Sequence, residues 1–360
     1  MQTAAIKTTN RNYGVDTLRL ASMLMILTAH IFTQGGVLAA AEPGTAQYYT
    51  AWLMRIFVIC DVNCFALISG YAGVNSRFRA SRPIALWLEV FAYSVGISAL
   101  FRIFGIYEFD PAHTLLPVLS GRWWYVTAYL GMVPFTPFIA LLFDKMTKKQ
   151  ASLLVFSLVF VLSVCPTALN RDIFRTSFGY SMLWLTALYI IGAYLKRYEP
   201  FKALRRGWLG VYALCMLAVF LSKVVIEALG GENGNYFVSF TSLFVLVGSV
   251  ALLMFFSRIS MAEPVRRMTK FLSPMAFGVY LIHVHPCVWN YFMGGRWAFL
   301  AEKPAPLLAL GVLGSAVAIF LVCAFIDWLR GLLARVLGIN KLADVLGEKL
   351  TRLSDRVFGE

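Results

Sequence analysis

The sequence alternates between long apolar segments and short polar ones, and ten apolar segments can be distinguished along its 360 residues. Most are close to the 20 or so residues that an α-helix needs to cross a hydrocarbon layer about 30 Å thick. They lack the period-2 alternation of membrane β-strands, and backbone groups in lipid must be satisfied within the segment. The pattern predicts an all-α, polytopic integral membrane protein of about ten transmembrane helices, at residues 15–34, 51–74, 83–106, 123–143, 151–166, 178–196, 208–228, 236–257, 271–292 and 306–335.

Composition agrees with this pattern, since 59% of the residues are hydrophobic, 14% are charged and the mean hydropathy is +0.72. In soluble domains, about a quarter of the residues are charged. We therefore expect one membrane domain over residues 1–338. The tail, residues 339–360, is predicted to be a cytoplasmic amphipathic helix on the membrane face, with a solvated terminal helix as the alternative. Its apolar residues recur at helical spacing among charges: Leu342, Val345, Leu346, Leu350, Leu353 and Val357.

The positive charges are distributed unevenly about the predicted helices. If the N-terminus is cytoplasmic, all but eight of the 32 lysines and arginines fall on the cytoplasmic side. The positive-inside rule then places both termini in the cytoplasm. We expect the protein to lie in the plasma membrane. The same asymmetry accounts for the net charge of +14 without a nucleic-acid partner. The eight exceptions are Arg55, Arg102, Arg122, Arg171, Arg175, Lys223, Arg296 and Lys303.

The cysteines do not indicate a metal site. All six lie in apolar segments and no two form a CxxC pair, so we expect buried, reduced thiols and no metal ligand. No P-loop, GxSxG, HExxH or dinucleotide-binding motif points to an active site of the soluble type. The six are Cys60, Cys64, Cys165, Cys215, Cys287 and Cys323.

The first helix carries an ionisable stripe, Asp16-x2-Arg19-x10-His30. Eleven residues at about 100° each return His30 to within about 20° of Arg19, roughly 16 Å further along the axis. Asp16 lies one turn from Arg19 and can pair with it. Ionisable groups within a membrane are costly and are candidates for function. The stripe predicts a track for a long anionic donor; the alternative is a capping Asp, a snorkelling Arg and a structural His.

The second helix ends in small and polar residues and is followed by an arginine cluster. Ser69 and Tyr71 precede Arg77, Arg79 and Arg82. A guanidinium group presents a planar fork of donors that suits phosphate, so the cluster is a candidate site for a phosphate-bearing ligand. The alternative is that any cytoplasmic loop gathers cations.

Two further candidates lie later in the chain. Trp124 and Tyr125 open the fourth segment on its outer side, where they could form an aromatic belt or a platform for an acceptor sugar. His283 and His285 lie in the ninth segment and could be structural or catalytic. Five other buried charges have no partner that the sequence can assign: Asp61, Glu89, Arg102, Glu227 and Asp327.

Five motifs follow one another along the chain: Asn12-Tyr13-Gly14-Val15-Asp16-x2-Arg19-x10-His30, Ile68-Ser69-Gly70-Tyr71, Arg79-x2-Arg82, Trp124-Tyr125 and Tyr280-Leu281-Ile282-His283. As an ordered set they resemble the acyltransferase type 3 family of membrane-bound acyltransferases, whose domain usually has ten helices. The resemblance spans nearly the whole chain.

The resemblance implies transfer of an acyl group, usually acetyl, from cytoplasmic acyl-CoA to a hydroxyl of a cell-envelope glycan or glycolipid. Acetyl-CoA is then the donor substrate, with no metal cofactor. The expected site residues form three groups: catalytic His30, Arg19 and Asp16; donor-binding Arg79, Arg82, Ser69 and Tyr71; and acceptor-binding Trp124, Tyr125 and His283.

Two other hypotheses about function are compatible with the same helices. A proton-coupled transporter or lipid-linked sugar flippase would use His30, Asp61, Glu89 and His283 as a pathway, although the sequence shows no repeated halves. A sensing or scaffolding domain would make the charges structural. His30 could be a general base or a transient acyl carrier. The acyl group, the acceptor and the oligomeric state stay open.

Overall fold

The structure is a computed structural model that describes residues 11–76, 78–108, 110–201, 207–231 and 234–358. The described chain is 77% helical and contains no strands. The lysines and arginines counted on the cytoplasmic side include Lys7, Arg77 and those within 202–206, which lie outside the described residues. Residues 1–10 of the predicted membrane domain and 359–360 of the predicted tail also lie outside them.

The helices are α1 (Tyr13–Phe32), α2 (Val37–Ala40), α3 (Ala46–Phe57), α4 (Asp61–Gly73), α5 (Ser81–Ile103), α6 (Pro111–Leu115), α7 (Trp124–Met132), α8 (Thr136–Lys145), α9 (Lys148–Val159), α10 (Cys165–Leu169), α11 (Met182–Tyr198), α12 (Trp208–Ala228), α13 (Leu243–Phe256), α14 (Glu263–Leu272), α15 (Ala276–His283), α16 (Pro286–Val288), α17 (Ala305–Val336) and α18 (Ile339–Phe358). Single 3₁₀ or π turns join α7 to α8, α9 to α10 and α14 to α15.

The all-α membrane architecture is confirmed, and the count of about ten spans is not. Within the described residues, seven helical stretches are long and apolar enough to cross a membrane. The stretches Glu263–His283 and Pro286–Glu302, bent by 64°, make an eighth if they count as one span. Helices α11 and α13, with 17 and 14 residues, are shorter. Ten spans and two cytoplasmic termini therefore stay predictions.

Close approach between helices builds the centre of the bundle. Helix α4 packs along α11, where a Cβ added at Gly70 would lie 1.9 Å from the Tyr189 carbonyl oxygen. A Cβ at Gly192 would likewise lie 2.1 Å from the carbonyl oxygen of Leu67. Small residues permit such contacts in lipid, where packing rather than the hydrophobic effect holds helices together.

Helix α1 lies inside the bundle, because it packs against α4, α13, α14, α15 and α17. Its start is fixed by Asn12, whose side-chain oxygen accepts from Val15 N at 3.1 Å and whose amide donates to the Ser257 carbonyl at 2.8 Å. An N-cap of this kind satisfies donors that the first turn leaves free. The central position of α1 brings its polar stripe among neighbouring helices rather than lipid.

Two breaks in the backbone position polar groups within the bundle. Residues 58–60 separate α3 from α4, so that Arg55 lies in the last turn of one helix and Asp61 in the first turn of the next. Helix α15 ends at His283, just before the bent segment. Irregular backbone at membrane depth is tolerated where it is buried in protein or lines a cavity.

The tail is helical, as the spacing of its apolar residues predicts. Helix α18 packs on the start of α5, where a Cβ at Gly347 would lie 2.7 Å from Ser81 N. The side chain of Val357 lies outside the described ones. Contact with the membrane and the domain boundary at 338 stay predictions. Five of its apolar side chains are exposed: Leu342, Val345, Leu346, Leu350 and Leu353.

Candidate functional site

The polar stripe of α1 begins with an ion pair. Asp16 accepts from Arg19 Nη1 at 2.8 Å and from Arg11 Nε at 2.6 Å. Arg19 also donates to Ser273 Oγ at 3.3 Å, in the turn before α15. The pair thus ties the start of α1 to the element that ends at His283, and so helps to fix the two helices relative to each other.

His30 lies three turns further along α1 and contacts a second histidine. Its Nδ1 is 3.0 Å from His283 Nε2, and His283 Nδ1 is 2.6 Å from the carbonyl oxygen of Val279. A carbonyl oxygen only accepts hydrogen bonds, so His283 Nδ1 carries a proton and, in the neutral ring, His283 Nε2 is an acceptor.

This chain of hydrogen bonds sets the tautomer of His30. Because His283 Nε2 accepts, His30 Nδ1 donates to it, and the lone pair of neutral His30 is left on Nε2. Such a nitrogen can take a proton or attack a carbonyl carbon. His283 is fully buried behind His30. By accepting the hydrogen bond from His30 Nδ1, it fixes the orientation of the His30 ring.

His30 lines a cavity of about 380 Å³ whose walls are mainly apolar and aromatic. The rings of His30 and Trp289 pack edge to face, with centroids 4.7 Å apart and planes at 89°. Trp124, Tyr125 and Met23 of α1 also line this cavity. We call this space the histidine cavity. Its remaining lining residues are Ile26, Ala29, Thr33, Arg55, Asp61, Val62, Phe65, Tyr180, Phe240, Phe277, Tyr280 and Val284.

Two polar atoms on the wall of the histidine cavity are buried without a hydrogen-bond partner among the described residues. They are Nη1 of Arg55 and the hydroxyl of Tyr280. Leaving a buried donor unsatisfied costs about 1–3 kcal/mol. Such groups at the edge of a cavity are available to a ligand oxygen.

A second cavity, of about 520 Å³, contains the arginine motif. Arg79 and Arg82 are exposed at this cavity, which also contains Ser69, Tyr129 and the acidic side chain of Asp144. We call it the arginine cavity. Its mixture of open guanidinium groups and deeper hydroxyl groups suits a ligand with a phosphate end and a slender polar arm.

The arginine cavity and the histidine cavity follow one another along the same two helices. Phe65 and Ser69 are one turn apart on α4, and Tyr125 and Tyr129 are one turn apart on α7. The first of each pair lines the histidine cavity and the second lines the arginine cavity. One helical turn is about 5.4 Å, so the two spaces are separated by a short step.

A third cavity, of about 430 Å³, adjoins the histidine cavity on its other side. Arg55, Tyr180 and Phe240 line both spaces. We call it the amide cavity, because the loops around it supply Asn170 and Asn235. The three cavities form a series with His30 in the middle one.

The structure brings some predicted site residues together and leaves others apart. His30, Trp124 and Tyr125 share the histidine cavity, and Arg79, Arg82 and Ser69 share the arginine cavity. Four predicted residues line none of the three cavities: Asp16, Arg19, Tyr71 and His283.

Tyr71 and His283 contact other side chains and line none of the three cavities, and their predicted roles in binding stay predictions. Tyr71 was expected to bind the donor, and its buried ring instead lies under the ammonium group of Lys196, 4.9 Å from the ring centroid. His283 was expected to contact the acceptor, and it contacts His30. The rotation of each helix about its axis decides these placements.

Sequence reasoning missed Arg55 and Trp289 as site residues. Arg55 was counted only among the outer cations, although it is the one lysine or arginine within the segment 51–74. A lone cation inside an apolar segment is a signal of function that could have identified it. Trp289 carried no such signal.

Among the described residues, no group of three or more His, Cys, Asp and Glu side chains is arranged to hold a metal ion. The prediction of a reaction without a metal stays a prediction.

Comparison with known proteins gives one match. The family model of the acyltransferase type 3 family, described as an acyltransferase domain, matches residues 12–332. No curated protein and no solved structure matches the chain. The matched range contains α1, both arginines of the arginine cavity and the bent segment after His283. The chain belongs to the acyltransferase type 3 family and is a membrane acyltransferase.

Proposed function

We propose that this protein is an O-acyltransferase of the plasma membrane that moves an acetyl group from cytoplasmic acetyl-CoA to a hydroxyl of a cell-envelope glycan or glycolipid. The observation that carries the proposal is the placement of His30, which lines the middle one of three consecutive cavities and whose Nε2 is left free by the contact with His283. A transferase that takes its donor from one side of a membrane and its acceptor from the other needs such an arrangement.

The arginine cavity is the proposed donor site. Arg79 and Arg82 would bind the phosphates of CoA, because an open guanidinium group forms bidentate, charge-assisted hydrogen bonds to phosphate. The narrow arm of CoA would then pass Ser69 and Tyr129 and carry the thioester into the histidine cavity. The Asp16–Arg19 pair stabilises the helix that presents His30, and it lines none of the three cavities.

Two chemical routes are open to His30. As a general base, Nε2 takes the proton of the acceptor hydroxyl while that oxygen attacks the thioester carbonyl, and the proton then passes to the departing CoA thiolate. As an acyl carrier, Nε2 attacks the carbonyl and CoA leaves as the thiolate; the acceptor hydroxyl then displaces the imidazole from the acetyl group, and its proton passes to the thiolate. In both routes the ring becomes cationic, and the hydrogen bond from Nδ1 to His283 stabilises that charge.

Tyr280 is the proposed donor to the carbonyl oxygen. Its hydroxyl is buried in the histidine cavity without a partner among the described residues. A donor placed where negative charge develops stabilises the tetrahedral intermediate, and it costs nothing to reorganise because it is already in place.

The test is His30→Ala in purified protein in lipid nanodiscs, supplied with labelled acetyl-CoA and an envelope glycan extract. We expect transfer to fall about 10²- to 10⁴-fold, the range for loss of a general base or nucleophile. The matched control is His113→Ala, an exposed histidine that lines none of the three cavities. Near wild-type transfer by the His30 variant would remove His30 from the reaction.

A further inference from the structure

The amide cavity has the chemistry of a sugar-binding site. Its loops supply amide and hydroxyl groups from Asn170, Asn235 and Ser239, and aromatic rings from Phe178 and Tyr236. Amides and hydroxyls both donate and accept, which matches sugar hydroxyls, and aromatic faces pack on the apolar faces of sugar rings.

Two donors at this cavity lack a partner among the described residues. Ser242 is 2% exposed and its Oγ is unsatisfied, and Arg55 Nη1 is unsatisfied at the boundary with the histidine cavity. Both residues line the amide cavity. Buried polar atoms are nearly always hydrogen-bonded, so these two donors are available to a polar ligand in the cavity.

The charges at the inner end of the cavity are balanced. Arg55 is the single charged residue in the lining of the amide cavity as described, and Asp61 lies with it on the wall of the histidine cavity. A guanidinium group only donates and a carboxylate only accepts, so together they fit a pair of neighbouring hydroxyls. An acidic sugar would gain from Arg55 and be repelled by Asp61.

We propose that the amide cavity binds a neutral saccharide acceptor, and that Arg55 and Asp61 bind the hydroxyls next to the one that is acylated. The proposal rests on the proposed function, since it takes His30 as the reacting group. It gives the acceptor a route from the amide cavity past Tyr180 and Phe240, the other two side chains common to both spaces.

The experiment measures two products of one reaction mixture. Purified full-length protein in nanodiscs receives [14C]acetyl-CoA and envelope glycans that anion exchange has separated into neutral and acidic fractions. Label in glycan reports transfer to the acceptor, and label released as free acetate reports cleavage of the thioester with water. We expect the wild-type protein to label the neutral fraction.

Substitutions at the inner end separate binding of the acceptor from thioester cleavage. We expect Arg55→Ala and Asp61→Asn each to lose at least tenfold more glycan labelling than acetate release. Arg55→Lys should recover part of the labelling, since it keeps the charge and loses the planar fork. Ser239→Trp, which fills the cavity from its loop, should block labelling in the same way and does not depend on a buried charge. Arg171→Gln, at an exposed outer arginine that lines none of the three cavities, is the matched control.

Each outcome bears on one proposal. Label in the acidic fraction would overturn the neutral acceptor, and equal losses of labelling and acetate release in the Arg55 variants would place Arg55 at the thioester instead. Full labelling by Ser239→Trp would overturn the cavity assignment. If the wild-type protein and His30→Ala make the same amounts of both products, the proposed function itself fails.

Discussion

The arginine cavity and the amide cavity lie on opposite sides of the histidine cavity and differ in chemistry. The first has exposed guanidinium groups from Arg79 and Arg82, and the second has amides and hydroxyls with Arg55 as its single charge among the described lining residues. Cations attract phosphates over a distance, whereas amides recognise uncharged hydroxyls by direct contact. Under the proposed function, this difference lets one protein bind a charged donor and a neutral acceptor that meet only at His30.

Among the substitutions that test this comparison, the largest loss of activity is expected at His283. It contacts His30, the residue at which the proposed donor and acceptor meet. His283→Ala removes the acceptor of the His30 Nδ1 proton. A buried hydrogen bond of this kind contributes about 1–3 kcal/mol, so kcat should fall roughly 5- to 150-fold with both KM values unchanged. His283→Asn, which can still accept, should recover part of the loss. A raised acceptor KM with normal kcat would instead make His283 a binding residue.

The double substitution Arg79→Ala and Arg82→Ala tests the charged side. We expect the KM for acetyl-CoA to rise about tenfold and kcat to change little, because these groups bind the donor equally before and during the reaction. Added salt should raise the wild-type KM and have less effect on the variant. Lys149→Ala, an exposed cation away from the three cavities, is the control. An increase in the KM for the acceptor would contradict the assignment of the donor to the arginine cavity and of the acceptor to the amide cavity.

Tyr280→Phe tests the carbonyl donor at the junction. The ring and its packing are kept, and the hydroxyl that lines the histidine cavity is lost. Since a single neutral hydrogen bond contributes about 1 kcal/mol, kcat should fall roughly fivefold for transfer and for acetate release alike. Steady-state rates with water and with glycan as acceptors give both numbers. Loss of transfer alone would assign Tyr280 to the acceptor.

The smallest effect is expected at Tyr71, which belongs to the same motif as Ser69, Ile68-Ser69-Gly70-Tyr71. Tyr71→Phe keeps the ring under Lys196 and should change the KM for acetyl-CoA by less than about twofold, because Tyr71 lines none of the three cavities. Ser69→Ala is the matched comparison in the same motif, since Ser69 lines the arginine cavity. An increase in KM at Tyr71 larger than that at Ser69 would contradict the placement of the donor.

Periodicity and composition predict the membrane architecture because apolar length is a local property. They do not predict the break at residues 58–60, where Phe57-Val58-Ile59-Cys60 contains neither Gly nor Pro. They also overestimate α13, whose apolar segment at 236–257 begins with a loop at the amide cavity before Leu243. Hydropathy measures the polarity of a residue, and it does not report whether the backbone around it is helical.

In the site, too, local contacts could be predicted from the sequence and long-range contacts could not. The spacing of Asp16 and Arg19 predicts their ion pair, because three residues make neighbours on one helix. The contact between His30 and His283 joins residues 253 positions apart, and it depends on how α1 and α15 are rotated against each other. Five ordered motifs indicated the family, and no motif indicated which cavity each residue would line.

The most direct test of three cavities in series is their accessibility from the two sides of the membrane. Ser76→Cys would place a thiol at the arginine cavity and Ser239→Cys at the amide cavity, in vesicles of known orientation treated with a membrane-impermeant thiol reagent. We expect modification at Ser239→Cys from the outer face only and at Ser76→Cys from the cytoplasmic face only, each stopping transfer, with the wild-type protein as control for its own six cysteines. Modification of both positions from the same face would contradict a donor and an acceptor that approach His30 from opposite sides.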